Sequence, residues 1–256
     1  MAAGPLRANG WTDRKVQKMP DFGRKVAIVT GASRGIGAGL VEAYRKHDYV
    51  VIANSRSITD SHDPDVLAIA GDIADPTTAE HIVTQAVRRF GRVATLINNA
   101  GVFLAKPFTT YTPEDYAAVT AVNTTGFFHI TQRVIAQMLA QGHGGHVVTI
   151  TTTLVEQANV NIPSALTSLT KGGLAAVTKS LAIEYARNGI RVNAVSAGVI
   201  DTPLHTVDPH AAYAGMHPQG RIGTIDDITQ GVLYLEDAPF VTGEILHIDG
   251  GQSAGH

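Results

Sequence analysis

Apolar positions follow two different spacings along the chain. Short runs dense in apolar and β-branched residues read as seven strands: RKVAIVT at 24–30, VVIANS at 50–55, DVLAIAGD at 65–72, ATLINNAG at 94–101, HVVTIT at 146–151, IRVNAVS at 190–196 and EILHID near the end. Between them, apolar residues recur at helical spacing. AGLVEAYRKH follows the first strand, TTAEHIVTQAVRRFG the third, and IDDITQGVLYLE precedes the last. The spacing also predicts a long helix from about Pro113 to Ala140 and another over roughly Pro163 to Asn188. Strands alternating with helices imply right-handed crossovers and a parallel sheet. The expected fold is α/β: a single domain built on a doubly wound, parallel, seven-stranded sheet with helices on both faces.

Two segments fall outside this rhythm. Residues 1–22 are rich in Gly, Pro and charge without periodicity, so they read as a flexible extension ahead of a domain at 23–256, with Trp11 incidental. The polar stretch from Asp201 to Arg221, punctuated by Pro203, Pro209 and Pro218, is a candidate substrate lid or a plain structural connection. Neither a signal-peptide core nor about 18 consecutive apolar residues occurs, so no export and no membrane partner is expected.

Composition narrows the function classes. Hydrophobic residues make up 44% and charged residues 16% of 256 residues, a balance suited to a sheet covered on both faces. The 20 basic and 22 acidic residues nearly cancel without a like-charge run, which argues against a nucleic-acid partner. The chain has no cysteine, so disulfides, thiolate metal sites and cysteine nucleophiles are excluded. A cytoplasmic setting fits, and no metal site is expected.

The chemistry begins at TGASRGIG. Its glycines, Gly31, Gly35 and Gly37, fall between a strand and a helix, where a turn needs positive φ or a backbone free of Cβ to approach a pyrophosphate. Amides at the helix start would bind the phosphate oxygens, with the helix dipole assisting. The second strand ends in Asn54, Ser55 and Arg56, with no carboxylate to hold a ribose 2′-hydroxyl. Arg56 and Arg34 offer two sides of a phosphate clamp instead. NADP(H) is therefore the favoured cofactor, with NAD(H) as the second choice.

From about Gly23 to the end the chain resembles the short-chain dehydrogenase/reductase family, and with it a Rossmann-type fold. The motifs agree in order: TGASRGIG, GDIAD, NNAG at Asn98 to Gly101, AVNTTG, LTKGG, RVNAVSAGVIDTP and TGEILHIDGG. The resemblance implies cofactor contacts from Gly31, Ser33, Arg34, Gly35, Ile36, Gly37, Ser55 and Arg56, and from Asp72 and Ile73 at the adenine. It further implies that Asn99, Ala100 and Gly101 line the adenosine ribose, that Lys171 holds the nicotinamide ribose, and that Ile200 and Thr202 hold the carboxamide. Ala197 stands where the family commonly has proline, which loosens one turn.

The same resemblance exposes a departure. The family's tyrosine, four residues before the lysine, exchanges the carbonyl proton. Here that position is Thr167, and the enoyl-reductase spacing of seven residues falls on Ser164. An aliphatic hydroxyl is far too weak an acid for a neighbouring ammonium to bring near neutrality, so Thr167 is expected to be structural or orienting. The family's serine maps onto Thr152, although counting back from Thr167 points to Thr153 or Leu154. Such a threonine either polarises a substrate oxygen or is an ordinary strand residue. Asn123 is expected to interrupt its helix and hold a water leading to Lys171. Glu156 and Gln157, or His205, His210 and His217 among the eleven histidines, are candidates to replace the phenol.

The expected activity is an NAD(P)H-dependent oxidoreduction of a small carbonyl, imine or enone, in which the cofactor carries the hydride chemistry and the protein orients the partners. The alternatives are a nucleotide-binding sensor or partner subunit without redox turnover, and a non-redox enzyme in the same pocket. Small-residue faces such as GGLAAV and SLAIEYA suggest helix pairing into a homotetramer, with a dimer as second choice.

Overall fold

The computed structural model describes residues 23–203 and 213–255. The expected extension at 1–22, Trp11, His205, His210 and the middle of the expected lid lie outside those residues.

The seven strands are β1 (Val26–Thr30), β2 (Val50–Ser55), β3 (Val66–Ala70), β4 (Thr95–Asn98), β5 (Gly145–Thr152), β6 (Ile190–Ala197) and β7 (Ile245–Ile248). They form one parallel sheet in the order β3-β2-β1-β4-β5-β6-β7. The direction of growth reverses between β1 and β4. A crevice opens at the carboxyl ends of strands at such a reversal, and ligands of doubly wound sheets bind there.

Successive strand residues face opposite sides. Ala27, Val29, Val51 and Val148 pack beneath α1 (Gly35–Lys46) and α6 (Ile225–Asp237) through Leu40, Tyr44, Ile228 and Val232. Val26, Ile28, Ile52 and Leu96 face α2 (Pro76–Phe90), α4 (Phe127–Gln141) and α5 (Ala165–Tyr185) through Ile82, Ile130, Val134 and Ala182. Ile28 and Ile52 are wholly buried, and each such side chain contributes about 1.5–3 kcal/mol.

The long helix expected from Pro113 to Ala140, with an interruption expected at Asn123, is two helices. α3 (Pro113–Thr120) begins at a Thr112/Asp115 capping box, then the backbone widens into a π turn over Ala121–Gly126 before α4 resumes. The cause is Asn123: its Oδ1 accepts from Val102 N at 2.7 Å, and its Nδ2 donates to Val102 O at 3.0 Å and Thr170 Oγ1 at 3.1 Å. Gly126 lets the turn sit close to Ile73, since a Cβ there would stand 2.7 Å from its side chain. The second long helix ends at Tyr185, with a short turn following.

At the amino ends of the strands, away from the crevice, the last turn of α6 supplies the buried carboxylate of Glu236. It accepts from Tyr49 Oη at 2.6 Å, Tyr44 Oη at 3.1 Å, Thr95 Oγ1 at 3.0 Å and His146 Nδ1 at 2.9 Å. Arg191 donates to the Leu235 and Glu236 carbonyls at 2.6 and 2.8 Å. Burial alone would raise the Glu236 pKa, but the His146, Tyr49 and Thr95 donors outweigh it and hold the carboxyl at about 2. This network ties α6 to three strands.

Candidate active site

The β1–α1 connection is shaped by its glycines. Gly31 and Gly35 adopt φ of +65° and +56°, where a side chain would be strained. Gly37 lies in the first turn of α1, and a Cβ there would collide with the Gly31 carbonyl oxygen. Asn99 fastens the turn from β4, its Nδ2 donating to Thr30 O at 2.9 Å and Gly31 O at 3.1 Å. The backbone thus remains open at the N-terminus of α1, a place suited to an anion.

This turn forms the floor of one cleft of about 590 Å³ at the carboxyl ends of the strands. Ser33, Arg34 and Ile36 line it beside the glycines. Toward β2 and β3 it is bounded by Ser55, Arg56, Asp72 and Ile73, and in the centre by Asn99, Ala100 and Gly101. Its far end is built by Thr152, Thr167, Lys171, Ile200 and Thr202. These expected site residues therefore share a single cavity. Asn123 is the exception: it lines a separate cavity of about 10 Å³ behind Lys171, beside Asn98 and Thr30.

The residues fit a dinucleotide on two independent observations. Positive φ at Gly31 and Gly35 leaves the turn backbone bare at the N-terminus of α1, and Ser55 Oγ, next to Arg56, is buried with no hydrogen-bond partner among the described residues. Asn54 does not compete for that corner, because its Nδ2 donates to the Ile69 and Gly71 carbonyls at 3.0 and 3.2 Å. Among the described residues no group of side chains has a metal-binding arrangement.

The far end is governed by α5. Lys171 lies one turn beyond Thr167 on the same face, and its Nζ donates to the Ile150 carbonyl at 3.2 Å. No acidic side chain pairs with it among the described residues, and burial lowers its pKa from the ordinary lysine value to about 8. Thr167 is fully buried, and its hydroxyl accepts from Leu104 N at 3.4 Å. The three threonines ending β5 separate clearly. Thr151 donates to Val195 O, and Thr153 is buried and donates toward Ala197 O and Gln252 Oε1. Thr152, at the strand terminus, accepts only a long contact from Leu154 N at 3.4 Å and faces the cleft.

Three expectations for a replacement acid fail on geometry. Glu156 and Gln157 do not line the cleft; Glu156 instead pairs with His247 Nε2 at 2.6 Å. His217 is buried behind Gly198, accepting from Val199 N at 3.0 Å through Nε2 and donating to Tyr213 O at 2.9 Å through Nδ1. Both ring nitrogens are thereby committed to holding backbone. The stretch around it does contribute to the cleft, but through Tyr213 and Met216. Those residues, with Phe103, Asn161, Ile162 and Gln252, were not expected from sequence. Position in the Pro-rich segment pointed toward Tyr213 and Met216, whereas Phe103 and Ile162 lie in irregular loops that carry no periodic signal.

The family model described as enoyl-(acyl carrier protein) reductase matches residues 31–253. An uncharacterized oxidoreductase of Methylorubrum extorquens is 35% identical, across 89% of this chain and 97% of its own. ElxO, solved with NADP bound, superposes with a TM-score of 0.85 at 27% identity, covering 91% of this chain and all of that one. The 3-ketoacyl-(acyl-carrier-protein) reductase of Brucella melitensis, complexed with NADH, gives 0.84 at 29% identity, covering 91% and 99%. On these matches, which span nearly the whole of the described domain, the chain belongs to the short-chain dehydrogenase/reductase family of nicotinamide-dependent oxidoreductases.

Proposed function

We propose that the protein is an NADP(H)-dependent reductase of small uncharged ketones or enones, working without the family's tyrosine. The observation that carries this reading is the continuity of one cleft from the glycine cradle to Lys171 and Thr152. The cradle amides would hold the pyrophosphate, and Asp72 and Ile73 the adenine. Asn99, Ala100 and Gly101 would pass the adenosine ribose, Lys171 would hold the second ribose, and Ile200 and Thr202 the carboxamide. Arg34, Arg56 and the orphaned Ser55 hydroxyl suit a 2′-phosphate, which supports NADP(H) over NAD(H). The bound cofactor supplies a hydride.

Charge selects the substrate class. Among the described residues, Asp72, at the β3 end, is the only carboxylate on the cleft wall, and Lys171 is the only charged group at the far end. An iminium substrate would meet an ammonium with no counter-charge, so imines are disfavoured. A carbonyl oxygen, which gains negative charge as its carbon is reduced, is favoured there. Thr152 adds a hydroxyl able to donate to that oxygen. Thr167 stands where the family has its tyrosine, buried and too weakly acidic to replace it. The protein is further proposed to work as a cytoplasmic homotetramer.

The test follows nicotinamide absorbance while NADPH is presented with ketones, enones and cyclic imines, with Thr167→Tyr alongside. Turnover of uncharged carbonyls by the unmodified protein is expected. Tight NADPH binding with turnover only in Thr167→Tyr would replace this reading with that of a nucleotide-binding protein.

A further inference from the structure

Resting on the carbonyl-reductase reading, we propose that Lys171 itself gives the proton to the substrate oxygen, a part separate from holding the cofactor ribose. Elimination within the cleft leads there. Thr151, Thr153 and Gln252 are tied to one another or to backbone, His217 is locked behind Gly198, and Glu156 is turned away to His247. Thr152 and Asn161 carry no proton acidic enough to leave near neutral pH. Among the described residues, that leaves Lys171 and the phenol of Tyr213 to compare.

The geometry favours Lys171. It stands on the long helix α5, with its Nζ fixed by the Ile150 carbonyl and close over Gly101, where a Cβ would lie 3.6 Å from it. An ammonium has three donors and only one is occupied among the described residues, leaving one for a ribose and one for a substrate oxygen. The short Thr167 side chain, one turn away on the same cleft wall, carries no phenol to stand between lysine and substrate. Burial without a carboxylate partner brings the ammonium to about 8, close to the working range of a general acid.

In the step, the carbonyl carbon takes up the hydride and its π pair moves to oxygen. A Lys171 N–H bond breaks and an O–H bond forms. The ketone is reduced to an alcohol, the dihydronicotinamide is oxidised, and Lys171 is left as a neutral amine that regains a proton from solvent.

Three experiments test it. In protein labelled with carbon-13 at lysine Cε, the Lys171 signal, identified by its loss in Lys171→Arg, is expected to titrate near pH 8, apart from the other lysines; titration with them overturns the proposal whatever the activity. With a turned-over ketone, Lys171→Arg keeps the cation but not a releasable proton. It should lower kcat about 10²- to 10⁴-fold with the NADPH KM changed only a few-fold, a far larger loss than in Tyr213→Phe. Because the chain lacks cysteine, Lys171→Cys can be alkylated selectively with 2-bromoethylamine to give a less basic amine. Activity should return, with its high-pH loss displaced to lower pH. An undisplaced limb, or loss in Tyr213→Phe with Lys171→Arg intact, overturns the proposal alone. NADPH binding without turnover of any carbonyl removes the reductase reading as well.

Discussion

Gly37 shows how tightly single positions set the cofactor end. A methyl group there meets the Gly31 carbonyl, a backbone atom with no flexible side chain to yield. Gly37→Ala should cost about 1–3 kcal/mol in urea denaturation and abolish measurable NADPH fluorescence enhancement. Arg56 acts through charge. If it and Ser55 receive a 2′-phosphate, Arg56→Ala should raise the NADPH dissociation constant about 10- to 100-fold and leave NADH nearly unchanged in fluorescence titrations. Equal weakening of both would argue for a general structural role. At this scale the sequence was most informative where backbone imposes residue type, as at Gly31, Gly35 and Gly37. It was least informative where function depends on side-chain direction. Thr151, Thr152 and Thr153 are indistinguishable on paper; all three line the cleft, and only the folded chain shows that the outer two donate to Val195 and Ala197 carbonyls while the middle one accepts a long contact from Leu154 N. His217 read as a lid residue, yet two backbone hydrogen bonds hold it behind Gly198, off the cleft.

Among elements, the strands were legible because apolar runs flanked by turn residues have few alternatives, and VVIANS matches β2 end to end. The π turn was not, because Ala121 to Gly126 keeps a helical composition. The visible clue was Asn123, and its effect depends on Val102 and Thr170, distant in sequence. The Glu236 network likewise joins residues from five elements and has no local signature. Its pH dependence has a definite sign. The folded carboxyl ionises at about 2, below its unfolded value near 4.3, so its stabilisation is complete above the unfolded pKa and is lost as pH falls toward 2. Glu236→Gln should therefore lower stability at pH 7 by about 1–3 kcal/mol, and the gap from wild type should narrow as denaturation is repeated from pH 5 down to pH 3. A constant gap would mean that packing, rather than charge, is what the carboxylate supplies.

For the whole molecule, the sheet reversal between β1 and β4 opens the crevice, and helices on both faces leave its carboxyl edge free for loops. Among the described residues no helix is long and apolar enough to cross a membrane. The outer faces of α4 and α5 expose Phe128, Leu169 and Ile183, consistent with the proposed pairing of subunits. Light scattering should give a tetramer, and Leu169→Glu with Ile183→Glu should give smaller species; a stable wild-type monomer would refute the assembly. The central claim is that this cleft delivers a hydride to a carbonyl carbon despite Thr167. Its most direct measurement uses NADPH deuterated at C4 and mass spectrometry of the product from an uncharged ketone. Deuterium at the former carbonyl carbon is the predicted result, whereas bound NADPH with no labelled alcohol would contradict it.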